Sequence, residues 1–305
     1  MPSTELSIAN GPYTAVVTTR GGALRELRHQ GRDLVVGFGS EGRIPDYRGV
    51  ICVPWPNRLA DGKYTYAGKD FEAAINEPER GSALHGLATE LDWKLQQAAA
   101  DSVVLACRVE AGPHYPSDLE VSVTYSLGPD GLRSTVEAIN VGRATAPYGA
   151  CPHPYLVAGE GKLDDWILEL PAAEFLEVTP DRLLPTGMKS VERHEFDFRS
   201  PRGIGSLKID HAFTGVSRDQ QGMARVRVQD PAGTGVELEW GAEWPWVQVH
   251  TADKPVGPDR LGLAVEPMTC PPDAFNSGTD LLHLKPGESH AASWTIRALA
   301  LSGLP

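Results

Sequence analysis

Leu119-Glu120-Val121-Ser122-Val123-Thr124-Tyr125-Ser126-Leu127, followed by Gly128-Pro129-Asp130-Gly131 and then by residues 132–140, is the most regular stretch of the chain. Leu119, Val121, Val123, Tyr125 and Leu127 alternate with polar residues, the period of a strand with one buried face. The Gly-Pro-Asp-Gly turn reverses the chain, and 132–140 reads as the returning strand of a hairpin. A second pair follows the same logic. Ala224, Val226 and Val228 alternate with polar residues, Asp230-Pro231-Ala232-Gly233 interrupts, and Val236, Leu238 and Trp240 resume. No long segment carries the 3.6-residue period of an amphipathic helix, and 32 glycines and 25 prolines supply turns for many short strands. These features predict an all-β fold, a large antiparallel β-sandwich with little helix. No linker, charge block or repeat divides the chain, so residues 1–305 are expected to form a single domain. The segment 181–210, rich in Pro, Gly and charge, is expected to form extended loops at one end of the sandwich, where sites often sit.

With 41% apolar residues the chain has enough material for a substantial core. A formal charge of −12 and the lack of a basic patch exclude a phosphate-backbone or anionic-membrane partner and favour a small neutral ligand. The N-terminus Met-Pro-Ser-Thr-Glu-Leu-Ser lacks a signal pattern and no run reaches membrane-spanning length, so a cytoplasmic location is expected. Cys52, Cys107, Cys151 and Cys270 form no Cys-x-x-Cys pair. Their number allows two disulfides, but four free thiols are the economical reading in a reducing compartment.

Three polar islands interrupt the strand pattern: Gly81-Ser-Ala-Leu-His85-Gly86, Cys151-Pro-His153-Pro-Tyr155, and Glu266-Pro-Met-Thr onward to Phe275-Asn276. Together they offer two histidines and a carboxylate, a set suited to proton transfer at a sugar ring. Around them stand Trp55-Pro-Asn57-Arg58-Leu-Ala-Asp61-Gly62, Asn76-Glu77, Asp210-His-Ala-Phe213 and Pro272-Asp-Ala-Phe275-Asn276. In this order, across roughly residues 50 to 280, the motifs resemble those of the aldose 1-epimerase (galactose mutarotase) family, with wording closest to a shorter bacterial subgroup. Leu156-Val157-Ala158 stands where the best-studied members have Phe-Asn-Leu.

The resemblance implies a galactose mutarotase-like supersandwich and a cofactor-free reaction that interconverts α and β anomers of an aldopyranose. It implies Glu266 as general base on the C1 hydroxyl, His153 as general acid at the ring oxygen O5, and His85 as an assisting group. Arg58, with its neighbour Asn57, and Asp210 then match substrate-holding positions. Trp246 and Phe275 are candidates for the aromatic surface on which the apolar face of a pyranose stacks.

Each residue also has a plainer reading. Arg58 could close an ion pair with Asp61 or Glu77, Asp210 could simply begin a strand, and His153 between two prolines suits a rigid turn. His250, in one run with Trp246, is the other histidine of interest. A Cys151–His153 nucleophile lacks an orienting third group. No metal is expected, because the histidines and carboxylates show no ligand spacing. Two other functions fit the same fold: a non-catalytic sugar-binding or regulatory protein, and an epimerase of an anionic sugar such as a hexose 6-phosphate, for which Arg58, Arg80 and Arg182 are the available cations.

Overall fold

The computed structural model describes residues 4–254 and 259–299. Leu119–Gly128 and Gly131–Asn140 form the expected hairpin, with Leu119 opposite Asn140 and Gly128 opposite Gly131. Ala224–Gln229 and Gly235–Trp240 form the second, with Ala224 opposite Trp240. Both hairpins belong to one nine-stranded antiparallel sheet, joined through Ser289–Leu299, which pairs with Gly131–Asn140 on one side and Gly235–Trp240 on the other. A second sheet of six strands contains Leu263–Met268, Trp246–His250 and Asp210–Val216 as consecutive neighbours. Among the described residues, helix is confined to one turn at Ala274–Ser277 and the 3-10 turns Pro45–Tyr47 and Leu163–Asp165. No helix of these residues is long and apolar enough to cross a membrane.

Alternation builds the core between the two sheets. Val121, Val123 and Tyr125 of the large sheet, and Val247, Val249 and Val265 of the smaller one, are fully buried in a single apolar cluster. A buried branched or aromatic side chain of this size contributes about 1.5–3 kcal/mol through apolar burial. The inward valines turn their even-numbered neighbours to the opposite face of the smaller sheet. There a smaller apolar group of Ala212, Trp246 and Met268 packs with Cys52 and Cys151.

The segment 181–210 departs from expectation. Pro185–Ser190 is a strand at the edge of the six-stranded sheet, paired with Ala172–Val178. Its residues are almost all exposed, so no apolar alternation marks it. Residues 181–209 contribute nothing to the lining of the main cleft.

Candidate active site

The cleft, of about 650 Å³, opens on the face of the six-stranded sheet that points away from the core. That volume suits a monosaccharide-sized ligand. Register sets its floor. Gln248 lies opposite Glu266, and His250 lies opposite Asp210 on the next strand. Because Val247, Val249 and Val265 face the core, Gln248, His250, Glu266 and Asp210 point to the opposite face, where His250, Glu266 and Asp210 line the cleft.

His153 comes from a different segment. Cys151–Pro152 pairs with Ile51–Cys52, and the His153 N–H then donates to the Val50 carbonyl at 3.1 Å while its own carbonyl accepts from Gly49 N–H at 2.8 Å. Prolines on both sides limit the backbone further. His85 sits on a tight bend with φ +62°, its N–H donating to the Asn57 carbonyl at 2.9 Å. Gly86 follows at φ +75°, where a Cβ would lie 2.1 Å from the Val53 carbonyl oxygen, so only glycine fits this crossing. Asn76 clamps the approach to His85 by accepting from the Leu84 N–H at 2.6 Å and donating to the Leu84 carbonyl at 3.0 Å.

These segments bring Glu266, His153 and His85 together. His153 Nε2 lies 3.4 Å from Glu266 Oε1, and the two imidazole rings are 4.8 Å apart between centroids. All three residues are buried. Burial, with the Asp210 charge adding to it, raises the Glu266 carboxyl well above its usual range, while Arg58 and Cys151 pull it back in part. Burial, with His250 nearby, pushes His153 down to about 3. Burial, then His153, Arg58 and His250, holds His85 well below an ordinary imidazole. The site therefore favours the neutral form of the Glu266 carboxyl and of both imidazoles.

Arg58 closes the ion pair with Glu77 while lining the cleft. Its guanidinium forks onto Glu77 at 2.8 and 2.9 Å in a buried pair, with Nη2 also 3.8 Å from Asp210. Asp61 instead holds Arg182 at 2.7 Å. Asn57, at φ +54°, accepts from the Arg58 N–H at 2.8 Å and from Nη1 at 3.4 Å, fixing the arginine from behind. Burial pushes the Asp210 carboxyl up, but His250, Arg58 and Gln248 together outweigh it and leave the group lowered.

Trp246 and Phe275 are not where an aromatic platform is needed. Trp246 is packed among Cys52, Cys151 and Met268, and its indole donates to Asp280 at 2.8 Å. Phe275 sits edge-on to Trp55 and Tyr64, with centroids 5.4 and 4.9 Å away, beneath the strand Arg58–Ala60. Both support the site from the interior. The tyrosines that line the cleft are Tyr47, whose ring lies 4.7 Å from His85 and 6.3 Å from His153, and Tyr155, whose ring stacks 5.3 Å from His153. Tyr47 occupies a strained turn with Asp46, at φ +56° and +52°. The turn is strapped by Asp46 to Arg48 at 3.0 Å and to Lys254 at 2.5 Å, and by the Tyr155 hydroxyl donating to the Asp46 carbonyl at 3.1 Å.

Sequence reasoning also missed Gln248. Its Nε2 donates to Asp210 at 2.6 Å, and its Oε1 is buried without a partner among the described residues. Its only sequence signal is a polar residue between two inward valines. The fold brings together donor groups that linear spacing did not show. Donor atoms of His85, His153 and Glu266 lie within 4.8 Å of one another, as do those of Cys52, His85 and Cys151. Linear spacing could not reveal sets assembled from separate segments.

A family model described as aldose 1-epimerase matches residues 4–297. The chain is 36% identical over 292 residues to YihR, an uncharacterized protein of Escherichia coli K12, covering 95% of this chain and 92% of that one. It is 31% identical over 300 residues to galactose mutarotase of Rattus norvegicus, covering 88% and 85%. The crystal structure of a GalM/aldose epimerase homologue from C. elegans superposes with a TM-score of 0.86 at 21% identity, covering 98% of this chain and all 100% of that one, and so shares the fold. The galactose mutarotase-like sandwich is thus the fold of this protein, and the chain belongs to the aldose 1-epimerase family.

Proposed function

We propose that this protein is an aldose 1-epimerase that interconverts the anomers of an aldopyranose by proton transfer alone, with Glu266 and His153 as the acid–base pair. The observation that carries this reading is the buried 3.4 Å approach of His153 Nε2 to Glu266 Oε1 at the floor of a monosaccharide-sized cleft.

One proton shared by the pair is enough. Burial favours its place on Glu266, and its passage to His153 leaves the pair's net charge unchanged. With a sugar bound, Glu266 as carboxylate takes the C1 hydroxyl proton while His153 as imidazolium gives its proton to O5. The C1–O5 bond breaks, an open-chain aldehyde forms, and the pair is back in its resting protonation. Rotation about C1–C2 presents the other face. His153 then takes the O5 hydroxyl proton and Glu266 returns a proton to O1 as the ring closes. Arg58 and Asp210 hold ring hydroxyls, and Tyr47 covers the apolar face of the sugar. No electron transfer or Lewis acid enters this scheme.

The test is the relaxation of optical rotation of freshly dissolved α-D-glucose, α-D-galactose and an anionic aldose. Wild type should accelerate relaxation to an unchanged end point. Glu266→Gln and His153→Asn should each lose about 10²–10⁴-fold in rate while keeping most sugar binding. A variant that retains most of the activity would remove its residue from the mechanism. Binding without acceleration by wild type would favour the non-catalytic alternative.

A second reading concerns the sugar's charge. Six carboxyl groups line the cleft against three guanidinium groups, which favours an uncharged sugar. Arg80 supports the other choice, since its Nε is buried without a partner among the described residues, and the exposed Arg43 lines the same cleft. An anionic aldose preferred over both neutral ones would establish it.

A further inference from the structure

Directly behind the cleft floor lies a cluster of soft donors that proton transfer does not use. Cys52 and Cys151 are opposed partners of a two-residue antiparallel pair, both fully buried and neither in a disulfide. Their sulfurs and a His85 nitrogen all lie within 4.8 Å of one another. Cys151 Sγ is also 3.8 Å from Glu266 Oε2, the carboxylate oxygen that does not face His153. The Nδ1 atoms of His85 and His153 are buried with no hydrogen-bond partner among the described residues. An unpartnered buried imidazole nitrogen is a group in search of a ligand.

We propose that Cys52, Cys151 and His85 form a site for a thiophilic divalent cation of the zinc type, with Glu266 as the available fourth donor. Two thiolates and a neutral imidazole cancel the charge of the cation, as a water-poor interior requires, and Glu266 as a bound carboxylate adds one negative charge that Arg58 offsets. The two thiol protons leave to solvent as the metal–sulfur bonds form, and the Glu266 carboxyl proton leaves with them when that group binds. Tetrahedral zinc with sulfur at about 2.3 Å and nitrogen at about 2.0 Å places its donors roughly 3.6 Å apart, so this set closes by about 1 Å. A cation here withdraws His85 from the cleft and engages Glu266, which makes it an inhibitor of epimerisation. That inhibition rests on the function proposed above; the binding does not.

The experiment titrates Co²⁺ into the reduced, metal-free full chain and then displaces it with Zn²⁺. Wild type should develop thiolate-to-cobalt charge-transfer absorption in the near ultraviolet, bleached by Zn²⁺. Cys52→Ser and Cys151→Ser should lose it, and Cys107→Ser, altered on a distant strand, should keep it. Cys52→Ala is the second variant, with circular dichroism and metal-free turnover checking that each Cys52 variant is folded. The absence of the band in wild type, or its persistence in both folded Cys52 variants, would overturn the site. In parallel, Zn²⁺ should slow wild-type mutarotation by about tenfold or more and spare Cys52→Ser. Bound Zn²⁺ without slowing would overturn the inhibitory consequence. Were wild type to accelerate no sugar even without metal, the proposed function would fail, and the cobalt spectra alone would decide the cation site.

Discussion

Glu266 and His153 meet 3.4 Å apart in a place that favours the neutral form of both. Turnover in the scheme above needs one proton on the pair. Protonation of His153 as well leaves no base, and burial delays that to about 3. Loss of the only proton leaves no acid, and burial delays that to well above the usual carboxylate range. The kcat profile, followed polarimetrically, should therefore stay level as pH falls through 6.5, the ordinary imidazole value, and decline toward about 3. An acid limb near 6.5 would show His153 titrating as a solvated imidazole and would sink the shared-proton account. Tyr47 is the second residue with a sharp expectation. Tyr47→Ala should raise KM by up to about tenfold with kcat much less affected, reflecting a stacking contact of about 0.5–1.5 kcal/mol. Trp246→Phe, altered behind the floor, should leave KM near the wild-type value; the opposite ranking would restore Trp246 as the platform.

At the scale of elements, the site depends on short, irregular connections docked against a regular sheet. The strand Arg58–Ala60 is held from below by Phe275 and by the Asp273 N–H donating to the Arg58 carbonyl at 2.8 Å. Its arginine is fixed by Glu77, and both side chains are under a tenth exposed. Removing one partner of such a pair leaves a buried charge without compensation. Glu77→Gln should cost about 3–5 kcal/mol in urea unfolding and weaken sugar binding as well. A loss below about 1 kcal/mol would place the pair with ordinary surface bridges.

At the scale of the molecule, the same pair links stability to pH. In the unfolded chain between 4.5 and 6.5, Glu266 is ionised and His153 protonated, one proton in total. The folded pair also holds one proton there, so wild type gains or loses little from it. Glu266→Gln leaves His153 alone with a lowered pKa. The unfolded state then binds the extra proton, and stability relative to wild type should rise with pH by about 1.4 kcal/mol per unit across that window. His153→Asn leaves Glu266 alone with a raised pKa, and its relative stability should fall as pH rises above 4.5. Denaturant melts of the three proteins from pH 4.5 to 6.5 check both signs, and parallel curves would show that the two groups titrate normally in the fold.

The period-2 runs at 119–127 and 224–240 determined the sheets, because alternation is a local property that survives in one dimension. The exposed edge strand Pro185–Ser190 was hidden for the same reason, since nothing buries one of its faces. The motifs carrying Glu266, His153, His85 and Arg58 were legible through their order along the chain. Their mutual distances were not, because Glu266 and His153 are 113 positions apart and meet only through pairing of separate strands. Tertiary structure alone put Tyr47 at the cleft and Trp246 behind it, set Gln248 against Asp210, and brought Cys52 to Cys151. Which side of a sheet meets solvent, and which loop folds over it, is decided by packing of distant segments and leaves no periodic trace in sequence.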